Sequence, residues 1–215
     1  MSSVRTRYFL PRFKLGSSPS PGTNFISTMS LIEFTKDRNP RTDKYDLGYI
    51  NEFYAQLFEP KRDQVETVLE IGIQYGYSMS LWRDYFPKAT VIGVDVNYCP
   101  DMDNQERIVP VYTNAYSEEF VNTIPDNSLD IVIDDGPHTF ESMVFFLNNY
   151  LNKVKPGGIL VLEDIIDRSW TPELLKLIDP SVGKITVHDM RQKQLNQYLY
   201  DLWSNGLDVI VVEKN

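Results

Sequence analysis

Two apolar segments of this chain end in acidic residues, and a histidine follows the first segment. The first segment reads LDIVIDDGPH and stops at His138, and the second reads GGILVLED and stops at Asp164. If the two segments are neighbouring parallel strands, their carboxyl ends bring Asp135, Glu163 and Asp164 into one crevice. Three carboxylates suit a hard divalent cation, and the nearby imidazole of His138 suits a general base.

A second group of chemically informative residues surrounds a glycine turn. The segment VLEIGIQYG, from Val68 to Gly76, is typical of a strand that enters a turn before a helix. Gly72 and Gly76 allow a sharp turn and a close approach of a ligand to the backbone. The spacing is not that of a dinucleotide fingerprint, and the segment has no phosphate-loop lysine. Glu70 beside the turn would repel a pyrophosphate but attract an ammonium group.

Asp95 ends the next predicted strand, about 20 residues after the glycine turn, where an acid accepts hydrogen bonds from a ribose diol. A pocket between Glu70 and Asp95 therefore suits a ligand that carries both an amine and a ribose. S-adenosylmethionine has both groups. The alternative interpretation is a strand–turn–helix unit of the same kind that binds no ligand.

The elements that must position these residues alternate along the chain from about residue 43 onward. Apolar spacing predicts strands over 67–71, 90–94, 109–112, 129–133, 159–162, 184–188 and 207–212, and helices over 46–58, 78–86, 118–123, 140–151, 172–178 and 192–203. This order predicts an α/β fold, a Rossmann-like, doubly wound, mostly parallel seven-stranded sheet with an antiparallel last strand.

Composition limits the class of protein. The chain has 215 residues, enough for one domain with a full core. Its net charge of -9 argues against a nucleic-acid partner held by a broad basic surface. No apolar run approaches the roughly 20 residues of a membrane span, and no secretory signal is evident. Cys99 is the single cysteine, so we expect a reducing, cytoplasmic location.

The first 40 residues differ in composition from the rest. They contain the loop-forming run SSPSPG and a basic start. We therefore expect an N-terminal arm over 1–40, either flexible or part of an interface in a homo-oligomer, followed by one domain over 41–215.

Several motifs resemble those of class I S-adenosylmethionine-dependent methyltransferases: EIGIQYG at 70–76, Asp95, and KPGG at 155–158. A further set looks like the metal-dependent sugar O-methyltransferases of macrolide biosynthesis: TDK at 42–44 followed by Tyr49, WRDYFP at 82–87, DDGPH at 134–138, and ED at 163–164. The resemblance covers roughly residues 42–215, and it does not fix the substrate.

The resemblance implies a role for each group of residues. Asp135, Glu163 and Asp164 would bind Mg²⁺ or another hard divalent cation, and His138 would act as the catalytic base. The residues expected to contact the cofactor are Glu70, Gly72, Tyr75, Gly76, Ser78, Asp95, Asn114, Ala115, Asp134 and Tyr49.

The sequence thus predicts a Mg²⁺-dependent O-methyltransferase that uses S-adenosylmethionine to methylate a hydroxyl of a sugar, a glycoside or another small molecule. Two alternatives stay open. One is a metal-independent N-methyltransferase, which would not require three carboxylates. The other is a cofactor-binding protein of the same fold that has no catalytic turnover.

Overall fold

The computed structural model describes residues 29–38, 42–191 and 206–215. Within these ranges, seven strands form a single sheet: β1 (Thr67–Ile71), β2 (Thr90–Asp95), β3 (Ile108–Tyr112), β4 (Leu129–Asp134), β5 (Val154–Ile165), β6 (Gly183–Asp189) and β7 (Asp208–Lys214). The strand order is β3-β2-β1-β4-β5-β7-β6. β7 runs antiparallel to both of its neighbours, and the other neighbouring pairs are parallel. The predicted fold class is therefore confirmed.

Helices cover both faces of this sheet. The described helices are α1 (Leu31–Arg38), α2 (Asp43–Asp46), a π-helical turn (Ile50–Tyr54), α3 (Ala55–Phe58), α4 (Tyr77–Tyr85), α5 (Glu118–Val121), α6 (Phe140–Tyr150) and α7 (Trp170–Leu175). Short 3-10 turns join them at Glu59–Lys61, Pro100–Met102, Leu151–Lys153 and Pro180–Val182. In the part of the chain that the structure describes, no helix has the length and apolar character needed to cross a membrane.

The central strand β1 shows why the sheet is buried on both sides. All five of its residues are buried, as expected for a parallel strand that is covered on each face. Val68 faces the core that contains Trp82, and Leu69 faces the opposite core, which contains Phe146. Because side chains alternate along a strand, one run of apolar residues supplies both layers of packing.

Two helical regions differ from the sequence prediction. The helix predicted over 46–58 is interrupted near its start, because Gly48 follows α2 with a φ of 80°; from Ile50 onward the π-helical turn continues directly into α3. Such a left-handed residue ends a helix. Within the predicted arm, α1 buries Leu31 and Phe34 in the main core. Residues 1–28 and the helix predicted over 192–203 lie outside the described residues.

Candidate functional site

The carboxyl ends of β4 and β5 lie side by side at one edge of the sheet. Asp134 pairs in register with Leu162 and, on the other side, with Ile71 of β1. Asp135 follows β4 directly, and Glu163 and Asp164 are among the last residues of β5. The two acidic segments are therefore neighbours, as the sequence indicated.

Asp135, His138 and Asp164 form a compact group at this edge. Each offers one oxygen or nitrogen atom, and these atoms all lie within 4.8 Å of one another. Nε2 of His138 is 3.8 Å from Oδ1 of Asp135 and 3.7 Å from Oδ2 of Asp164. All three residues line one cavity of about 900 Å³. The two carboxylates offer oxygen ligands that suit a hard divalent cation, and the imidazole of His138 lies beside them.

Two members of this group have an uncommon backbone conformation. His138 has a φ of 53° and Asp164 a φ of 54°, both in the left-handed region. A side chain makes this region unfavourable, and residues held there often lie at functional sites. Both residues line the cavity that Asp135 also lines.

Glu163 has a different environment from Asp164, its neighbour in the chain. Its carboxylate is almost fully buried and accepts hydrogen bonds from Lys44 and from the hydroxyl of Tyr54. Asp164 instead accepts a hydrogen bond from the hydroxyl of Tyr49. The structure therefore places Glu163 behind the group of Asp135, His138 and Asp164, and its predicted role as a cation ligand stays a prediction.

Lys44 lies among three carboxylates and is only 1% exposed. Its Nζ donates to Oδ2 of Asp135 at 2.7 Å, forms an ion pair with Glu163, and lies 3.4 Å from Oε1 of Glu70. Burial alone would lower the pKa of Lys44, but the surrounding carboxylates more than offset this and raise it well above its ordinary value. Lys44 is therefore an ammonium ion inside the protein.

Burial also raises the pKa values of the acids at this edge of the sheet. It raises the pKa of Asp164 to about 6, and the nearby charge of Asp135 adds to the rise. It raises the pKa of Asp134 to about 7, although a hydrogen bond from the hydroxyl of Tyr116 favours the ionised form. Burial likewise raises the pKa of Glu163 well above its ordinary value. Carboxylates crowded in this way favour a cation or a proton between them.

The glycine turn has a structural role that the sequence did not reveal. A Cβ atom on Gly72 would collide with the backbone carbonyl of Asp135, and the φ of Gly72 is 96°. The amide of Asp135 in turn donates to the carbonyl of Ile71 at 3.0 Å. The absence of a side chain at position 72 thus lets the β4 end, with Asp135, pack against the turn.

Asp95 ties the same turn to the end of β2. Its Oδ2 accepts hydrogen bonds from the backbone amides of Ile73 at 2.9 Å and Gln74 at 3.2 Å. Its Oδ1 accepts one from the amide of Asn97 at 2.8 Å. A carboxylate has about four acceptor positions, so Asp95 retains capacity for a ribose hydroxyl.

The cavity joins the acidic edge to the glycine turn. The predicted cofactor residues that line it are Gly72, Tyr75, Ser78, Asp95, Asn114 and Ala115. Four others do not line it: Glu70, Gly76, Asp134 and Tyr49. Glu70 is fully buried, and its Oε2 accepts a hydrogen bond from Nε1 of Trp82 at 2.7 Å. The contacts of all ten residues with a cofactor stay predictions.

Two residues that organise this site were not among those predicted from the sequence. Lys44 belongs to the TDK motif, but its insertion among the acids depends on how α2 packs over the sheet edge. Tyr116 directly follows Asn114 and Ala115, two of the predicted cofactor contacts, and it contacts Asp134 and lines the cavity. Neither the lysine of the TDK motif nor the tyrosine after Ala115 indicates these contacts from the sequence alone.

Comparison with known proteins finds a domain match over the middle of the chain. Residues 69–165 match a family model described as a methyltransferase domain. Over 138 residues the chain is 30% identical to 8-demethyl-8-alpha-L-rhamnosyl tetracenomycin-C 2'-O-methyltransferase of Streptomyces olivaceus, which covers 60% of this chain and 36% of that relative. It is also 30% identical over 134 residues to mycinamicin VI 2''-O-methyltransferase of Micromonospora griseorubida, covering 58% of this chain and 33% of that relative.

A solved structure shows the same fold. The MycE methyltransferase from the mycinamycin biosynthetic pathway, in complex with Mg and SAH, matches with a TM-score of 0.65 and 25% identity. The match covers 86% of this chain and 55% of that one. These findings confirm the resemblance to class I S-adenosylmethionine-dependent methyltransferases of the macrolide sugar type. The chain matches only about a third of the length of the curated relatives described above.

Proposed function

We propose that this protein is an O-methyltransferase that uses S-adenosylmethionine and a divalent cation to methylate a hydroxyl of a sugar or another small molecule. The observation that carries the proposal is the group of Asp135, His138 and Asp164 in the cavity that also contains the glycine turn. The match to a methyltransferase domain over residues 69–165 supports the use of this cofactor.

The cofactor half of the site consists of residues around β1 and β2. Asp95 would accept hydrogen bonds from the ribose, and Asn114 and Ala115, which line the same cavity, would contact the adenine. Glu70 lies on β1 just before the turn and would favour a ligand with an ammonium or sulfonium group, without direct exposure to the cavity. The residues of this half would hold the methyl group in position for transfer.

His138 is the proposed base. It would take the proton from the acceptor hydroxyl, and the hydroxyl oxygen would then form a bond to the methyl carbon as the carbon–sulfur bond breaks. The electron pair of that bond stays on sulfur, which leaves S-adenosylhomocysteine as a neutral thioether. Asp135 and Asp164, each within 4 Å of Nε2, would stabilise the protonated imidazole and orient its ring.

Asp135 and Asp164 would hold the cation, with Glu163 as the predicted third ligand. A bound Mg²⁺ lowers the pKa of a hydroxyl that it contacts and orients the oxygen. The Mg of the MycE complex and the donor set of this chain support the inclusion of a cation.

The acceptor is proposed from the relatives. By their names, one relative is the 2'-O-methyltransferase of a rhamnosyl compound, and the other is a 2''-O-methyltransferase of mycinamicin VI. A cavity of about 900 Å³ extends over both the cofactor half and the acidic edge, so an acceptor hydroxyl could lie beside His138.

The buried Cys99 fits a reducing compartment, and we place the reaction in the cytoplasm.

The proposal is tested by mass spectrometry of products formed from S-adenosylmethionine and a panel of glycosides, phenols, polyols and amines. We expect O-methylated glycosides or related polyols. N-methylated amines as the main product would favour a metal-independent N-methyltransferase instead. No transfer to any member, combined with tight cofactor binding by calorimetry, would favour a non-catalytic cofactor-binding protein.

A further inference from the structure

We propose that Lys44 and a divalent cation are alternative partners of the same carboxylates, those of Asp135 and Glu163. Lys44 would thereby set how tightly the edge of the sheet holds its cation. The inference rests on the cation site of the proposed function, and it adds a residue that contributes no ligand to that site.

The contacts of Lys44 carry the inference. Its ammonium group touches Oδ2 of Asp135 and Oε2 of Glu163 and joins these two carboxylates across neighbouring strands. Both residues are predicted cation ligands. A buried ammonium persists only when its charge is compensated, and at 1% exposure Lys44 receives that compensation from these acids.

A divalent cation and the ammonium cannot both keep these contacts. Two positive charges within a few ångströms repel each other strongly in a buried site, where water does not screen them. A cation that binds Asp135 together with Glu163 must therefore displace Nζ of Lys44.

Glu70 provides a place for the displaced lysine. Its Oε1 is fully buried and has no hydrogen-bond partner among the described residues, and it lies 3.4 Å from Nζ of Lys44. A buried carboxylate oxygen without a partner is costly. A movement of Nζ away from Asp135 and Glu163 and toward Glu70 would satisfy this oxygen and release the two carboxylates.

The exchange would couple the cation to the cofactor cavity. Lys44 lies on α2, and its neighbours Thr42 and Asp43 line the cavity. While no cation is bound, Lys44 compensates the buried acids, so the fold does not depend on metal. When a cation binds, the movement of Lys44 acts on the segment that lines the cavity.

The test is the affinity for Mn²⁺, measured by electron paramagnetic resonance without cofactor or acceptor. We expect Lys44→Met to bind Mn²⁺ at least 10-fold more tightly than the wild type, because the competing ammonium is gone. The matched control is Lys155→Met, since Lys155 pairs with Asp130 at 2.8 Å near the amino end of β4. The control should bind Mn²⁺ as the wild type does, and unchanged or weaker binding by Lys44→Met would overturn the inference.

A second variant covers the case in which Lys44→Met does not fold. Lys44→Met with Glu70→Gln removes one positive and one negative charge, so the net charge of the cluster is that of the wild type. We expect this double variant to bind Mn²⁺ at least fivefold more tightly than the wild type, because Asp135 and Glu163 are released. Binding equal to the wild type or weaker would contradict the exchange.

The results also separate this inference from the proposed function. Equal Mn²⁺ binding by the wild type and Lys44→Met refutes the exchange and leaves the cation site in place. Mn²⁺ binding by Lys44→Met alone supports the exchange and refutes a cation-assisted reaction in the wild type. Binding by neither protein refutes both proposals.

Discussion

Nε2 of His138, in the loop after β4, lies 3.7 Å from Oδ2 of Asp164 on the neighbouring strand β5. The two residues are brought together because β4 and β5 are parallel and end at the same edge of the sheet. The distance is longer than a hydrogen bond, so the ring and the carboxylate can each approach a third group, such as a cation or an acceptor hydroxyl.

The base assignment predicts a selective loss of turnover. We expect His138→Ala to lower the rate of methyl transfer by roughly 100-fold or more, since general-base catalysis contributes about this much. His138 is not among the predicted cofactor contacts, so the affinity for S-adenosylmethionine should change by less than about threefold. Single-turnover rates and calorimetry measure the two quantities, and normal turnover in the variant would remove His138 from the role of base.

The left-handed backbone of His138 predicts an unusual order of stability. Because its φ is 53°, glycine should suit the position better than alanine. We expect His138→Gly to be more stable than His138→Ala by about 1 kcal/mol. Urea unfolding of both variants measures this difference, and a more stable alanine variant would contradict the left-handed conformation.

Removal of one carboxylate should weaken cation binding. We expect Asp164→Asn to lower the affinity for Mn²⁺ by about 10-fold or more, since an amide is a weaker ligand than a carboxylate for a hard cation. Asparagine tolerates the φ of 54° at this position, so the fold should be kept. Asp126→Asn is the matched control, because Asp126 is an exposed partner of Lys153. Equal affinity in the two variants would argue against a cation at Asp164.

The close approach of Gly72 to Asp135 predicts a large cost for a side chain. Gly72→Ala meets both a positive φ and a collision with the carbonyl of Asp135. We expect it to lower the free energy of unfolding by about 3 kcal/mol, in the range for backbone strain with a steric clash. Gly157→Ala is the control, because its φ is also positive at 76° but a Cβ there meets nothing within 4 Å. The control should cost about 1 kcal/mol; similar losses in both variants would show that the collision has no effect.

From the raised pKa of the Tyr85 hydroxyl, we predict a loss of stability at high pH. Burial raises its pKa from 10.0 to about 12, and its hydroxyl has no hydrogen-bond partner among the described residues. Because the folded-state pKa is the higher one, this contribution to stability is present below pH 10 and is lost as the pH rises toward 12. By pH 11 the wild type should have lost about 1 kcal/mol that Tyr85→Phe retains. Urea unfolding at pH 8 and pH 11 measures this; an equal loss in both proteins would contradict it.

The fold could be predicted from the sequence because its signals are local. The apolar runs, the glycine turn and the strand-ending acids each follow from neighbouring residues, so the strands and the meeting of Asp135 with Asp164 were predictable. The splitting of the helix over 46–58 depended on the conformation of Gly48, which allows both helical and left-handed backbone.

The buried contacts of Glu163 and Glu70 could not be predicted in this way. Whether Glu163 faces the cavity or the core depends on Lys44 and Tyr54, which are more than a hundred residues away in the chain. The burial of Glu70 likewise depends on packing against Trp82. These are tertiary contacts between charged or polar side chains, and no periodic pattern in the sequence predicts them.

The most direct test of the account is the transfer of an isotopically labelled methyl group from S-adenosylmethionine to glycoside hydroxyls, measured before chelation, after chelation and after Mg²⁺ is restored. We predict an O-methylated product whose rate of formation falls at least 10-fold on chelation, about 1.4 kcal/mol of barrier, and recovers with Mg²⁺. An O-methylation rate that chelation leaves unchanged, or methyl transfer to amines alone, would contradict the central claim that these acids and His138 activate a hydroxyl with the help of a cation.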